Sequence, residues 1–355
     1  MISRSDSDPS ASKGETGPKG RVRVKYVTGR TSAEASPLDS PSPCPLPSRE
    51  RSFFRHFVSA GVAAIGVILA ATCGGCGPAV PAAPVGPTSR VAATAPTAGP
   101  AALDLVVFSS NRGGQWAIWT MKPDGSNMKQ LSTPAQDEND VDAVVSPDGR
   151  SILFTSTRGG KAGLWRMNID GTKPVRICDG DQGEWSNDGA KIVFRRTGRL
   201  VVRELASGKE KIVSPQGFDK CSGPAWSPDG RSIAFALLGE GGNAIYIVPA
   251  AGGPARKVYD AQGACEPHWS PAGASLVYET ESHICTINPD GTGNRMVTYY
   301  GGVQRYGRYS PDGTRIIFCQ APSPEGPWEL YTAPAGGGPP TKLTEGGSDM
   351  QPDWR

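Results

Sequence analysis

Seven aspartates precede a glycine in short turns, at positions 124, 148, 170, 188, 229, 290 and 312. Carboxylates at such intervals invite a cation-binding reading, because hard cations take several oxygen ligands. Turn chemistry accounts for them better. An Asp side chain accepts hydrogen bonds from backbone N–H groups two residues on, and the Gly supplies the positive φ that tight hairpins need. Ala272 takes the place of Asp in the same register with no compensating change, as expected of a structural series. The acidic run Asp137-Glu-Asn-Asp-Val-Asp142 lacks the spaced Gly and bidentate Glu of a calcium loop and reads as a solvated loop. Three histidines exist, His56, His268 and His283. His283 stands beside Ile284 in an apolar stretch, whereas His268 with Glu266 makes half a metal site. There is no Gly-x-Ser-x-Gly elbow and no phosphate loop, and Cys73 and Cys76 have Cys-x-x-Cys spacing without a second pair. No catalytic residue, metal site or cofactor is expected.

The remaining polar candidates become visible only through a repeat that begins near Leu103. Its copies open at Val145-Ser-Pro-Asp-Gly149, Trp185-Ser-Asn-Asp-Gly189, Trp226-Ser-Pro-Asp-Gly230, Trp269-Ser-Pro-Ala-Gly273 and Tyr309-Ser-Pro-Asp-Gly313. The glycines are 40, 41, 43 and 40 residues apart. An apolar residue follows three positions later and an aromatic five later, in the pairs Ile152/Phe154, Ile192/Phe194, Ile233/Phe235, Leu276/Tyr278 and Ile316/Phe318. Period-two alternation beside a turn signal is a half-buried strand of a hairpin. Each copy then has a loop such as Ser156-Thr-Arg-Gly-Gly160, a second apolar pair such as Leu164-Trp165, a second turn such as Asp170-Gly171 and a short last strand. Four strands in about 41 residues make one propeller blade.

Six copies of the later strands exist but only five opening elements. Gln351-Pro-Asp-Trp354 reads like Glu266-Pro-His-Trp269 and supplies the sixth. The expected fold is all-β: a six-bladed β-propeller of four-stranded blades over 103–355, closed by the C-terminal strand completing the first blade. Closure removes the free sheet edges that invite aggregation.

The Trp-Ser-Pro-Asp-Gly signature, the Ile-x-Phe after it, the Ser-x-Arg-Gly-Gly loop and the later Asp-Gly turn resemble the TolB-type propeller repeat. The resemblance implies an envelope-located, non-enzymatic propeller that docks other proteins. TolB also carries an N-terminal α/β domain, and this chain has a Pro/Ala linker in its place. Some related propellers are metal-dependent lyases on acidic sugars. Those need several His ligands, and this chain offers essentially one.

If strands alternate in direction, the Ser-Pro-Asp-Gly turns share one face, and the Arg-Gly-Gly loops and blade connections share the other. Loops on the second face vary in length and charge, and function concentrates on variable loops of a rigid scaffold. Residues just before each leading aromatic enter the central channel from that face. They are Asp142, Gln182 and Glu184, Gly223 and Ala225, Glu266 and His268, Tyr306 and Arg308, and Gln351 and Asp353. The expected partner- or ligand-binding set is Asp142, Glu184, Glu266, His268, Arg308 and Asp353. It would serve a protein partner in the envelope, with a small channel ligand or a carbohydrate as the alternative.

Upstream, residues 1–48 are rich in Ser, Pro, Gly and Lys without a sustained apolar period and are expected to be disordered or an over-extended start. Arg49, Arg51 and Arg55 precede an apolar run from Phe57 to Thr72, so 49–72 reads as a signal peptide. Cys73 then stands where a lipidated bacterial cysteine would, with Ala70 in the usual Leu position and Thr72 just before it. Residues 73–102 form a Pro/Ala-rich linker that favours extended polyproline II. The expected location is exported and periplasmic, tethered through an acyl anchor at Cys73, with simple secretory cleavage or an uncleaved anchor as the alternatives. Ten basic and 6 acidic residues in 1–56 leave 27 basic and 28 acidic ones afterwards. A near-neutral folded part lacks the basic field that nucleic acid requires. Five cysteines, 178, 221, 265, 285 and 319, fall in the repeats. Cys221 and Cys265 precede the aromatics of neighbouring blades and could meet, and buried thiols are expected for the others.

Overall fold

A computed structural model describes residues 103–239, 242–261, 263–280, 282–298 and 301–355. The N-terminal expectations, from the start through the signal, Cys73 and the linker, lie outside the described residues.

The described chain is all strand. The opening strands are β1 (Val106–Ser110), β2 (Ala117–Met121) and β3 (Lys129–Gln130). The second sheet holds β4 (Asp140–Val145), β5 (Ser151–Ser156), β6 (Gly163–Asn168) and β7 (Val175–Asp179). The third holds β8 (Asp181–Trp185), β9 (Lys191–Arg196), β10 (Arg199–Glu204) and β11 (Glu210–Ile212). The fourth holds β12 (Cys221–Trp226), β13 (Ser232–Leu237), β14 (Asn243–Pro249) and β15 (Arg256–Ala261). In the fifth are β16 (Cys265–Trp269), β17 (Leu276–Thr280), β18 (His283–Ile287) and β19 (Arg295–Met296). The sixth holds β20 (Val303–Tyr309), β21 (Arg315–Ala321), β22 (Glu329–Pro334) and β23 (Thr341–Lys342). The last strand, β24 (Asp349–Trp354), returns to the first sheet and pairs antiparallel with β1, Trp354 facing Val106 and Asp353 facing Val107. The molecule is a six-bladed β-propeller of four-stranded antiparallel blades, and its C-terminal strand closes the ring.

The leading aromatics and the Ile-x-Phe pairs form the material between blades. Phe108, Phe154, Phe194, Phe235 and Phe318 are fully buried, as is Tyr278. The apolar core divides into six clusters, one at each junction; that between the sixth and first blades joins Ile317, Cys319 and Trp328 to Val106, Phe108 and Met350. Two leading tryptophans also bridge blades by hydrogen bonds. The Trp185 indole donates to the Val144 carbonyl at 3.3 Å and that of Trp269 to the Ala225 carbonyl at 3.2 Å.

The turn aspartates serve the turns. Ser146 Oγ donates to Asp148 at 2.6 Å, as does the Arg150 N–H at 3.1 Å, while Ser146 Oγ accepts from the Ser151 N–H at 2.9 Å. The pattern recurs around Asp188, Asp229 and Asp312. In the fifth blade, where Ala272 replaces Asp, the Ser275 N–H still donates to Ser270 Oγ at 3.0 Å, so the serine and the backbone bonds of the turn hold that hairpin without the carboxylate. All five cysteines are buried thiols. Cys221 donates to the Phe218 carbonyl and Cys265 to Glu279 Oε1 at 3.0 Å, so these two do not meet as the sequence suggested.

Candidate functional site at the ring axis

The innermost strands share a feature that no residue type announced. Three positions before the leading aromatic, each turns through positive φ: Asp142 (54°), Gln182 (50°), Gly223 (56°), Glu266 (49°), Tyr306 (57°) and Gln351 (54°). The ladder to the neighbouring strand shifts register there in all six blades. These are β-bulges, which re-aim side chains and free a backbone donor. Several freed N–H groups are taken up by the preceding blade. Asp142 N–H donates to Ser109 Oγ at 3.2 Å and to Gln351 Oε1 at 3.3 Å. Gln182 N–H donates to Thr155 Oγ1 at 3.2 Å, Gly223 N–H to Gln182 Oε1 at 3.1 Å, and Tyr306 N–H to Glu279 Oε2 at 2.9 Å. Ser109, Thr155 and Glu279 each directly follow the core aromatic of their strand. A polar residue at that place, with Gly223 at the bulge itself, is the sequence signal that could have revealed the bulges. Glycine is required at 223, where a Cβ would come within 3.0 Å of the Glu266 backbone.

The bulges aim side chains into a cavity lined by all six inner strands, about 420 Å³ including the part open to solvent. Asp142, Glu184, Glu266 and Arg308 line it, together with Gln182, Tyr306 and Gln351. His268 and Asp353 do not. Two layers result. The bulge residues lie towards the connecting loops, and residues two positions on (Glu184, His268, Arg308 and Asp353) lie towards the Ser-Pro-Asp-Gly turns. Glu184 and Asp353 are only 4% and 3% exposed, so neither belongs to a solvated rim. Asp353 accepts the Val145 N–H across the blade junction at 2.9 Å. Glu266 accepts from Gln182 Nε2 and Ser222 Oγ, both at 3.3 Å, and so links three blades. His268 Nε2 stands 3.9 Å from Glu184 Oε2. Arg355, absent from the expected set, lies 3.9 Å from Glu184 and 3.6 Å from Asp353.

Enclosure reshapes the acidities. Burial, reinforced by the charges of Glu266 and Asp181, pushes the Asp142 carboxyl up to about 7. Burial likewise pushes Glu184 up to about 7, against the pull of Arg308. Glu266 is raised by burial and by Glu279. Burial, then Arg308 and Arg355, hold His268 well below its ordinary value, so the imidazole is neutral. Carboxyls that titrate near neutrality beside a neutral imidazole can exchange protons and donate or accept hydrogen bonds. Ser222 is 6% exposed, and its hydroxyl is committed to Gln182 and Glu266.

The Arg-Gly-Gly loops differ from expectation. Arg158 pairs with the fully buried Asp140 at 2.6 Å and lies over the rings of Phe154 and Trp165. Arg112 pairs with the fully buried Asp349 and lies over Trp119. Arg195 holds Asp181 at 2.6 Å. These arginines fasten the inner strands from within rather than presenting charge to a partner. The acidic run is split in the same way: Asp140 faces Arg158, Asp142 faces the cavity, and Asn139 accepts the Trp116 N–H.

Fold and site define a closed six-bladed propeller with a mixed-charge axial cavity. The chain belongs to the TolB beta propeller domain family, whose pattern it matches over residues 87–199 and 183–355. Among curated relatives, a protein TolB homolog of Chlorobium luteolum is 33% identical over 101 residues, which cover 28% of this chain and 23% of that protein. An uncharacterized peptidase, YuxL of Bacillus subtilis, is 44% identical over 83 residues, covering 23% of this chain and 12% of that protein. The matches thus span less than a quarter of either relative. Among solved structures, TolB from Acinetobacter baumannii superposes with a TM-score of 0.62 at 14% identity, over 71% of this chain and 66% of that one. A TolB-like structure from Agrobacterium tumefaciens gives 0.56 at 16% identity, over 69% and 90%. At these identities the likeness is one of fold.

Proposed function

We propose that this chain is a non-catalytic protein-binding module of the cell envelope that receives its partner on the connecting-loop face and in the axial cavity. The observation that carries this reading is the cavity itself. Six fixed strands set Asp142, Glu184, Glu266 and Arg308, groups of both signs, around one narrow space. A rigid scaffold with polar groups converging on one opening is suited to reading polar features of a partner. Membership of the TolB propeller family supports the same reading. A metal-dependent lyase role would draw on several His ligands. The described residues supply His268 near the axis, while His283 pairs with Thr280 inside the fifth blade, and no group of three or more His, Cys, Asp or Glu among them is disposed to hold a metal. The donor set therefore favours binding.

The envelope location rests on the signal-like segment 49–72, with Cys73 as an acylated anchor and 73–102 as the tether. Two or more acyl chains give stable anchoring where one does not. No helix among the described residues is long and apolar enough to cross a membrane. Cys73→Ser is expected to move the protein from the membrane to the soluble fraction or leave an uncleaved precursor. A wild-type protein that is already soluble would remove the anchor.

Binding is tested by mild cross-linking and affinity capture from envelope extracts with wild type and Arg308→Glu. The wild type should retain a specific protein that the variant loses, with a single cooperative melting transition in both to show that the variant is folded. Identical captures, or metal-dependent cleavage of an acidic polysaccharide by the purified protein, would overturn the proposal.

A further inference from the structure

We propose that the axial cavity binds a carboxylate group, held by the guanidinium of Arg308. This deepens the reading above by naming what the cavity recognises. Of the arginines withdrawn from the surface, every other one has a committed partner. Arg112 and Arg158 hold Asp349 and Asp140, Arg195 holds Asp181, Arg196 and Arg203 share Glu210, and Arg355 reaches Asp353 and Glu184. Arg199 and Arg315 donate to hydroxyls or carbonyls, and Arg305 lies over Trp328 near Glu279. Arg308 lines the cavity half-buried, yet among the described residues no carboxylate oxygen lies within 4.0 Å of it and no acceptor takes its N–H groups. It is near enough to Glu184, Glu266 and His268 to be felt by all three, but it touches none of them. A guanidinium that served only as counter-ion would sit in contact, as Arg195 does.

Five N–H donors in a planar fork suit a planar two-oxygen anion. Carboxylate and phosphate both fit the fork, and the surroundings choose between them. Glu184 and Glu266 repel a dianion more strongly than a monoanion. The amides of Gln182 and Gln351 and the phenol of Tyr306 line the same space and supply neutral hydrogen-bonding groups for a small planar head. The carboxylate can come from an acidic side chain or chain terminus of a protein partner, or from a free organic acid.

The test follows the side-chain Nε–H resonance of Arg308, assigned by its loss in Arg308→Lys, at constant ionic strength. It is titrated with sodium butyrate, a monoanion, with an acetylated and amidated glutamate-containing hexapeptide and its glutamine counterpart, and with inorganic phosphate. Saturable shifts at millimolar or lower butyrate or Glu-peptide are expected, with affinity at least about tenfold lower in Arg308→Gln, where binding is followed on the backbone amides of the inner strands. Tighter binding of the Glu peptide than of butyrate identifies a protein-borne group, and the reverse a free acid. A response to phosphate equal to that for carboxylate, or no shift beyond that of sodium chloride, overturns the inference. If carboxylates fail while Arg308→Glu still loses its captured protein, the protein-binding reading stands and this inference falls. If carboxylates titrate Arg308 while capture is unaffected, the outcome is reversed.

Discussion

Positive φ costs a non-glycine residue roughly 1–3 kcal/mol and persists only where the surroundings over-determine it. Here five such residues, Asp142, Gln182, Glu266, Tyr306 and Gln351, share one register with Gly223. What holds them is the polar traffic between blades, in which Ser109, Thr155, Gln182 and Glu279 accept the bulge N–H groups. The loop arginines work at the same scale. The Asp140 carboxylate has no exposure, and Arg158 at 2.6 Å is its neutraliser. Arg158→Met should therefore cost about 2–4 kcal/mol, since breaking a buried pair from one side leaves an uncompensated charge. The double variant Asp140→Asn with Arg158→Met should recover most of that loss. Urea denaturation of the two single variants and the double one decides it, and additive losses would show that the pair contributes nothing as a pair.

Strand β24 is the element on which closure depends. It supplies Asp349 to Arg112, Asp353 to the Val145 N–H, and Met350, 2% exposed, to the junction of the sixth and first blades. Trp354 is only half-buried, so it contributes less than a core tryptophan would. Deleting 349–355 removes burial and ion-pairing worth several kcal/mol and should lower the melting temperature by about 10 °C or more. A synthetic 346–355 peptide should restore part of it in trans. A truncated chain that melts with the wild type would show that β24 does not close the ring. The blade count, the hairpins and this closing strand were legible in the sequence because each has a local signal: a Gly after the turn, an aromatic at a fixed offset, alternation at period two. The bulges were not, because Asp, Gln, Glu and Tyr give no sign of positive φ and only Gly223 hints at it. Nor was the inward role of the loop arginines, whose partners lie 18 residues away for Arg158 and 237 for Arg112. Of the expected site residues, the repeat position placed all six on inner strands. Which of them face the cavity depended on bulge geometry, and a register shift of one residue exchanges faces.

Across the whole molecule, two populations of carboxyls act on stability in opposite directions. The hairpin aspartates 148, 188, 229 and 312 are held below their ordinary range, chiefly by hydrogen bonds from the turn serines. A depressed folded-state acidity stabilises above the unfolded value and is lost as pH falls, so the acid limb drops below roughly pH 4. Asp142 and Glu184 behave in the opposite sense. Both are pushed to about 7 by burial. Their folded states hold protons that the unfolded chain has released, so their contribution is complete below their ordinary values and is lost as pH rises through 7. His268, neutral when folded, favours higher pH only until the unfolded imidazole has lost its proton near 6.5. Above that point the carboxyls act alone. Stability should fall between pH 6.5 and 8 by about 1 kcal/mol and level off above, because most of each shift is already spent below 6.5 and solvent in the cavity screens the remainder. The double variant Asp142→Asn with Glu184→Gln removes both charges while keeping the shape, and asparagine tolerates the left-handed backbone at 142. Its melting temperature should be higher than wild type at pH 8 and nearly flat over this range, by scanning calorimetry at fixed ionic strength. A variant that keeps the wild-type slope would mean that the axial carboxyls are ionised at no cost, and that the cavity is wetter than its lining implies.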